Sequence, residues 1–402
     1  MKYTSDEVMQ YVLEEDVKFV RMAFCDIYGR QRNVAIMAGE LPRAFDYGIA
    51  FDASAVSGFD MDERSDLFLR PNADTLKELP WRPQSGRVAH MFCDIVHPDG
   101  RPFDGDTRAL LRRAVADAAA KGYEFRFGTE MEFYLFKLDE NGRPTEEPFD
   151  TAGYMDVAPE DKGENVRREI CLTLERMGIF PESSHHESGP GQNEIDFRYA
   201  DALTAADNAV MFRSVVRTIA AGNGLWADFS PRPLPDHDGN GMHINLSARR
   251  GGEDVSPLLL VPGLMHRIRE MTRLLNPVEN SYARLGRDKA PSCVTWSEEN
   301  RSQLVRVPAA AGEYKRVELR SPDNATNPYL AFTLMIYACL EGIEAQLPLP
   351  EPTNLNLFRT DEATLRHFDR LPATLGEATA LAANSDFLRA HIPAQVLAGY
   401  GI

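Results

Sequence analysis

Alternating apolar and polar positions mark a short segment near the middle of the chain as a strand with one polar face. Ile195 and Phe197 fall on one side of this segment, and Glu194 and Asp196 fall on the other. A Gly-Pro-Gly turn at residues 189–191 leads into it. The pattern predicts a strand that turns its apolar side to a core and its carboxylates to a cavity.

Three further segments repeat this alternation, and their polar faces carry side chains that bind metals or phosphates. The polar positions are Glu130 and Glu132 in the first segment, His243, Asn245 and Ser247 in the second, and Arg316, Glu318 and Arg320 in the third. Four such strands predict an antiparallel sheet with one face in a core and the other face lining a charged cavity. That cavity is the predicted active site.

Apolar residues spaced three and four apart predict helices between these strands. The predicted helices are residues 6–13, a helix capped by Asp106 or Thr107 that ends near Lys121, one with Val166, Ile170 and Leu174 on its inner face, and one capped by Thr204. The apolar run at residues 331–340 is too short to span a bilayer, so it predicts a buried helix.

The beginning of the chain has a different pattern from the rest. Short β-like runs at residues 17–24, 32–37 and 87–96 alternate with Gly, Pro and Asp, which predicts a small mixed domain. A turn-rich segment at residues 97–102 marks the predicted boundary. We therefore expect an N-terminal domain over residues 1–98 and a catalytic domain over residues 99–402.

Composition narrows the classes of protein to which the chain can belong. Its 402 residues suffice for two domains, and its net charge of -17 argues against a nucleic acid or a membrane as partner, because both need a basic surface. The N-terminus has no apolar signal segment, which predicts a cytoplasmic protein. Five scattered cysteines without a C-x-x-C spacing are expected to be reduced packing residues.

The polar faces predict a divalent metal centre. The candidate ligands are Glu130, Glu132, Glu187, Glu194, His243 and Glu318. Clustered carboxylates repel one another unless cations neutralise them, and oxygen-rich ligand sets favour Mg²⁺ or Mn²⁺ over zinc. Six ligands suit two ions better than one.

An anionic partner for those ions is predicted by five of the arginines in this part of the chain, namely Arg284, Arg301, Arg306, Arg316 and Arg320, although surface ion pairs are the alternative in an acidic protein. A guanidinium group binds carboxylate or phosphate oxygens in pairs and keeps its charge. Arg316 and Arg320 flank Glu318, which favours phosphoryl transfer. The chain has no P-loop, dinucleotide-binding or Gly-x-Ser-x-Gly motif, so these common alternatives are not supported.

A series of ordered motifs between about residues 20 and 381 resembles the glutamine synthetase family. The motifs are GTEMEF from Gly128, HHE from His185 with PGQNE from Pro190, NGMH from Asn240, NSY from Asn280, NRS from Asn300, and RVELRSPD from Arg316 with NPYL from Asn327. The resemblance implies an α+β fold. An N-terminal β-grasp-like domain would precede a catalytic domain whose curved antiparallel sheet forms a funnel backed by helices.

The resemblance also implies roles for single residues. One ion is expected at Glu132, Glu187 and Glu194, and the other at Glu130, His243 and Glu318. ATP is expected to contact Glu182, Ser247, Arg301, Arg306 and Arg316, and the amino-acid substrate to contact Gly239, Arg284 and Arg320. Asp52, with Asp66 close to it, is expected to bind ammonium at the active site of a neighbouring subunit.

The reaction implied by the resemblance is the ATP-dependent joining of a carboxylate to ammonia or an amine. ATP would phosphorylate a glutamate-like acid to an acyl phosphate, with Arg301 stabilising the transfer and Asp52 accepting a proton from the amine. The implied cofactors are two Mg²⁺ or Mn²⁺ ions per site, with ATP as co-substrate. The implied assembly is a homo-oligomeric ring of six or twelve chains.

Two positions depart from the family pattern. Lys289 stands where the flap of the family has a glutamate, and Asp238 stands where the substrate loop has an asparagine. Glutamine and a γ-glutamyl amine therefore remain competing products. A non-catalytic ring is a further alternative, against which the complete ligand set speaks. A guanidino kinase is another, and it would show no amine-dependent step.

Overall fold

The computed structural model describes residues 3–59, 64–82 and 85–402, and its N-terminal part is a mixed sheet. The strands are β1 (Val17–Cys25), β2 (Gln31–Met37), β3 (Ile49–Asp52), β4 (Asp66–Pro71), β5 (Lys77–Glu78) and β6 (Arg87–Val96), and the helices are α1 (Ser5–Glu14) and α2 (Leu41–Tyr47). The strand order is β2-β1-β6-β4-β3, with β5 beside β6. The predicted strands at the start of the chain are confirmed to within one residue.

The second sheet is larger and carries the predicted polar faces. Its strands are β7 (Tyr123–Leu138), β8 (Pro144–Pro148), β9 (Pro181–His186), β10 (Gln192–Phe197), β11 (Ala200–Asp201), β12 (Leu225–Asp228), β13 (Met242–Arg250), β14 (Glu253–Asp254), β15 (Trp296–Glu298), β16 (Val305–Val307) and β17 (Val317–Leu319). The four predicted ligand strands are neighbours in the order β17, β13, β7 and β10, and each pairing is antiparallel. The predicted antiparallel sheet is confirmed.

Strand register explains why the ligands meet on one face. Glu130 lies opposite His243 on β13 and opposite Asp196 on β10, while Glu132 lies opposite Glu194. Because side chains alternate with a period of two, this register places polar residues beside polar residues and apolar residues beside apolar ones.

The second part of the chain also contains helices. They are α3 (Thr107–Ala120), α4 (Glu164–Arg176), α5 (Ala202–Gly222), α6 (Val261–Leu275), α7 (Glu279–Arg284), α8 (Pro328–Glu344), α9 (Glu362–Leu365), α10 (Leu375–Ala383), α11 (Asp386–His391) and α12 (Ala394–Gly399). Of these, α3 and α5 pack against β7, and α4 packs against β9. The apolar run predicted as a buried helix forms the middle of α8. Helices α6 and α8 touch backbone to backbone, because a Cβ atom on Gly263 would lie 2.0 Å from the carbonyl oxygen of Ala338.

Helix starts show where the sequence rules succeeded and failed. Asp106 caps α3, since its carboxylate accepts from the N–H groups of Arg108 and Ala109. The predicted cap Thr204 is wrong, because α5 begins earlier and the side chain of Asp201 accepts from the N–H of Thr204. Asp201 lies closer to the true start and is an equally good cap.

Hydrogen bonds join the N-terminal sheet to the helices of the second part. The Nδ2 of Asn327 and the hydroxyl of Tyr400 both donate to the carbonyl oxygen of Ile27, over 2.9 Å and 3.0 Å. Cys25, Cys93, Cys293 and Cys339 are buried free thiols, and the Cys171 thiol is partly buried. Within the described ranges, no helix has the length and apolar content needed to cross a bilayer.

Candidate active site

The polar face of the second sheet lines a cavity of about 730 Å³. The sequence-predicted residues on its wall are Glu130, Glu132, Glu187, Glu194, His243, Arg301, Arg306, Arg316 and Arg320. Glu318 lies beneath them, with its side chain fully buried. The fold therefore brings all six candidate metal ligands and four candidate arginines to one place.

The first group of candidate ligands surrounds His243. Its Nδ1 atom lies 3.1 Å from Glu130 Oε2 and 3.7 Å from Glu318 Oε1. Ligand atoms of Glu130, Glu194 and His243 all lie within 4.8 Å of one another. Asn245 Nδ2 donates to Glu130 Oε1 over 2.9 Å and so fixes that carboxylate. One divalent ion can therefore contact three side chains here.

A second group of candidate ligands surrounds His185. Its Nε2 atom lies 3.0 Å from Glu187 Oε1 and 3.8 Å from Glu194 Oε1. The ligand atoms of these three residues also lie within 4.8 Å of one another. In the sequence, His185 stood out only as part of a motif and was assigned no role. Glu194 is common to both groups, whereas the resemblance places it only with Glu132 and Glu187.

The electrostatics of the cluster fit divalent cations. Burial, together with repulsion from Glu132 and Asp196, raises the pKa of Glu194 well above its ordinary value. At Glu187, burial also opposes ionisation, but the hydrogen bond from His185 and the charge of Lys289 bring its pKa to about 2. The cluster offers carboxylate oxygens and imidazole nitrogens as metal ligands. Mg²⁺ or Mn²⁺ can bind to such ligands and neutralise the charge of the carboxylates.

Two arginines balance the charge of Glu318. Arg306 Nε donates to Glu318 Oε2 over 2.5 Å, and Arg320 Nη1 donates to Glu318 Oε1 over 2.6 Å. Arg316, just before β17, donates from Nε to Oδ1 of Asn245 on the adjoining strand β13 over 2.8 Å. Arg301 is exposed on the cavity wall. The guanidinium groups thus stand next to the carboxylates, where they can meet the anionic groups of a ligand.

A second cavity, of about 200 Å³, adjoins the first and shares Glu130 and Arg316 with it. Its wall includes Glu182 and Ser247, together with Tyr314. Three of the five residues expected to contact ATP therefore line this cavity, and Arg301 and Arg306 line the larger one.

A narrow third cavity, of about 20 Å³, holds two of the three residues expected to contact the amino-acid substrate, while the third, Arg320, lines the 730 Å³ cavity. Gly239 and Arg284 line it together with Glu132 and Glu187. Only glycine fits at position 239, because a Cβ atom there would lie 2.4 Å from the carbonyl oxygen of Pro231. The Arg284 side chain is buried and donates to main-chain carbonyl oxygens, including that of Ser321 over 2.8 Å.

Lys289 reaches into the carboxylate cluster. Its Nζ atom lies 3.0 Å from Glu187 Oε2 and 2.6 Å from Ser188 Oγ, and 4.4 Å from the centre of the Tyr154 ring. Asp238 lines the same narrow cavity as Lys289. Sequence reasoning missed Tyr154, since a single tyrosine in an irregular segment carries no pattern.

Asp52 and Asp66 lie apart from the cluster. They are opposite each other on β3 and β4, at the edge of the N-terminal sheet, and both are exposed. The Asp52 carboxylate accepts from the N–H and the hydroxyl of Ser54, over 3.0 Å and 2.6 Å. Neither aspartate is among the described residues that line the three cavities.

Family models match almost the whole chain. Residues 16–98 match the glutamine synthetase beta-Grasp domain, and residues 104–401 match the glutamine synthetase catalytic domain. Two similar proteins are both glutamine synthetases. That of Clostridium saccharobutylicum is 45% identical, over 94% of this chain and 88% of the relative. That of Methanosarcina mazei is 44% identical, over 99% of this chain and 92% of the relative.

Solved structures show the same fold. A GmaS/ADP complex superposes with a TM-score of 0.88 at 29% identity, covering 98% of this chain and 94% of that one. The Plasmodium falciparum glutamine synthetase superposes with a TM-score of 0.87 at 20% identity, covering 100% and 95%. The predicted α+β fold is confirmed.

Proposed function

Because the chain belongs to the glutamine synthetase family, and is thus an ATP-dependent carboxylate–amine ligase, we propose that it joins the γ-carboxylate of glutamate to ammonia or an amine through an acyl phosphate. The observation that carries this proposal is the cluster of carboxylates beside arginines on one face of a sheet. A carboxylate is a poor electrophile, so its activation requires phosphoryl transfer, which cations and guanidinium groups favour.

The family uses divalent metals, and we assign two Mg²⁺ or Mn²⁺ ions to this site. Glu132, Glu187 and Glu194 would hold one ion, and Glu130, His243 and Glu318 the other. The bound ions would neutralise charge on the phosphoryl group during its transfer. His185 is an additional candidate for the first ion, because its Nε2 atom lies between two of the proposed ligands.

The chain's own residues would bind and orient the substrates. ATP would bind in the 200 Å³ cavity, where it would contact Glu182, Ser247 and Arg316. Its phosphates would extend towards Arg301 and Arg306 in the larger cavity. Arg301 would stabilise the phosphoryl group in transfer. Gly239, Arg284 and Arg320 would hold the amino acid.

The amine side of the reaction would need a second subunit. Asp52 and Asp66 lie on β3 and β4 at the edge of the N-terminal sheet, away from the carboxylate cluster. A neighbouring chain would therefore supply both residues to the active site. Asp52 would then accept a proton from the amine. We propose a ring of six or twelve chains, each with a domain over residues 1–98 and another over residues 99–402. The free thiols support a cytoplasmic location.

The position of Lys289 favours an organic amine over ammonia as the second substrate. Its ammonium group lies 3.0 Å from Glu187 Oε2, where it would repel an ammonium ion. An amine whose own substituent interacts elsewhere in the cavity would be less affected.

A phosphate-release assay with ATP and Mg²⁺ tests the proposed function. A panel of amino acids is crossed with ammonia and with primary amines, and the products are identified by mass spectrometry. Phosphate release that requires both glutamate and an amine, with a γ-glutamyl product, is expected. Phosphate release without any amine-dependent product would contradict the proposal.

A further inference from the structure

The loop that follows α7 presents Lys289 to the carboxylates from a fixed backbone. On one side, Asp288 forms an ion pair with buried Arg232 over 2.9 Å. On the other side, Ala290 is buried and its N–H donates to the carbonyl oxygen of Arg287 over 2.9 Å. The backbone is therefore held on both sides of Lys289, while its four-carbon side chain can still rotate.

The ammonium group of Lys289 has a full set of partners in the cavity. It carries three N–H donors, and three acceptors surround it: the Glu187 carboxylate, the Ser188 hydroxyl and the face of the Tyr154 ring. A carboxylate, a hydroxyl and an aromatic face are together well suited to bind an ammonium group. Lys289 thus contacts Glu187 although about half of its side chain is exposed.

Lys289 neutralises a carboxylate that the first proposed ion also needs. A divalent ion at Glu187 would place two positive charges beside the lysine, and like charges at this separation repel. The ion and the ammonium group therefore compete for the same carboxylate.

A second carboxylate faces the same narrow cavity. Asp238 lines it together with Glu187 and Lys289. Burial raises the pKa of Asp238, and the positive charge of Lys289 opposes this rise. Because both carboxylates face one cavity, rotation of the lysine side chain can carry its charge from Glu187 towards Asp238.

We propose that Lys289 is a displaceable internal cation of the metal centre, an inference that rests on the proposed function. It neutralises Glu187 while no ion is bound, and it moves to Asp238 when an ion binds. This competition lowers the affinity of the site for its first ion.

Binding of Mn²⁺ alone to the metal-free, full-length protein tests this competition, by isothermal titration calorimetry at fixed ionic strength. Lys289→Met keeps the side-chain length and removes the charge. We expect the Kd of this variant for Mn²⁺ to fall by about thirtyfold, the effect of one unit charge about 4 Å from a divalent ion in a solvent-screened site. Ser188→Ala removes a partner of the ammonium group but no proposed ligand, so a smaller shift in the same direction is expected.

Arg287→Met is the matched control. Arg287 is exposed on the same loop, lines the same narrow cavity and carries the same charge. Its replacement is expected to change the Kd for Mn²⁺ by less than about twofold, because in the described part of the chain its guanidinium group forms no ion pair with a carboxylate, whereas Lys289 Nζ lies 3.0 Å from Glu187 Oε2. Equal shifts in the two variants would overturn the proposal, and so would an unchanged Kd in a Lys289→Met protein that binds two ions.

The role of Asp238 is tested by a double-mutant cycle. Asp238→Asn is expected to weaken Mn²⁺ binding more in the parent than in Lys289→Met, because the displaced ammonium group loses its second acceptor only in the parent. Equal effects in both backgrounds would overturn the transfer to Asp238. Failure of every protein to bind Mn²⁺ would overturn the metal centre itself, whereas two bound ions with unaltered affinities would overturn only the competition.

Discussion

The backbone N–H of Gly241 donates to Glu132 Oε2 over 2.7 Å and fixes the orientation of that carboxylate. Gln192 Nε2 donates to the same oxygen over 3.3 Å. The other oxygen, Oε1, lies 4.0 Å from His243 Nε2. One oxygen of Glu132 is thus held by the protein, and the other faces the proposed ions.

Replacing Glu132 is expected to abolish ATP turnover without unfolding the protein. Glu132→Ala removes a proposed ligand of the first ion, while the strand that carries it stays paired on both sides. Phosphate release and circular dichroism are the measurements. Glu124→Ala, an exposed change on the same strand, is the control and should leave turnover intact. Normal turnover in Glu132→Ala would contradict the metal assignment.

Mixing two inactive variants is expected to restore some activity. Asp52→Asn removes the carboxylate proposed to act in the active site of a neighbouring subunit. Arg320→Ala removes a proposed substrate-binding group from the active site of the same chain. In mixed rings, some sites combine an intact Asp52 with an intact Arg320. Activity after co-refolding is measured against each variant alone, and light scattering gives the size of the assembly. An active monomer would exclude the shared site.

Lys289→Glu is expected to improve the use of ammonia. The parent lysine repels an ammonium ion by about 1 kcal/mol at the solvent-screened limit, which applies because this side chain is half exposed. We therefore expect kcat/KM for ammonia to rise about fivefold or more in the variant. The value of kcat/KM for the best amine is measured in the parent and in the variant for comparison. Efficient use of ammonia by the parent, unimproved by the change, would show that Lys289 does not set specificity.

His90 is expected to make the fold sensitive to acid. Burial, with the charge of Lys77, lowers the pKa of His90 from 6.5 to about 3. The unfolded chain then binds more protons than the folded chain between these values, so stability is lost as pH falls below about 6.5. At pH 5 this loss amounts to about 2 kcal/mol.

His90→Gln removes the imidazole group that binds this proton. The free energy of unfolding of this variant should therefore depend less on pH. Urea unfolding of parent and variant at pH 7 and pH 5 measures the difference, and the parent should lose more stability. The exposed His367→Gln serves as the control and should follow the parent. Equal losses in the parent and His90→Gln would contradict the prediction.

The sequence predicted the sheet because its alternation is long and regular at β7, β10 and β13. Period-two patterning fixes which residues share a face, so the alternation was enough to place Glu130 and His243 on the same face of the sheet. It does not fix where a strand ends. Arg316 and Arg320 were expected within a strand, but β17 covers only Val317–Leu319, and the two arginines lie just outside it.

The finer geometry of the site could not be predicted from the sequence. Glu194 belongs to two ligand groups because side chains from four strands and a loop meet around it. The pattern of residues along the chain does not predict these positions. The contact between Lys289 and Tyr154 joins two irregular segments 135 positions apart, so no local rule could find it. The motifs identified which residues matter, and tertiary packing determined their neighbours.

The contact between α6 and α8 makes the back of the molecule intolerant of change. A methyl group at Gly263 would meet Ala338, and one at Gly342 would lie 2.7 Å from Gly263, so either substitution must push the helices apart. Just ahead of α8, Asn324 Nδ2 donates to the carbonyl oxygen of Glu132 over 2.8 Å. In a random mutagenesis screen, inactive variants should therefore also arise at these two glycines, on the helical side of the sheet away from the metal ligands.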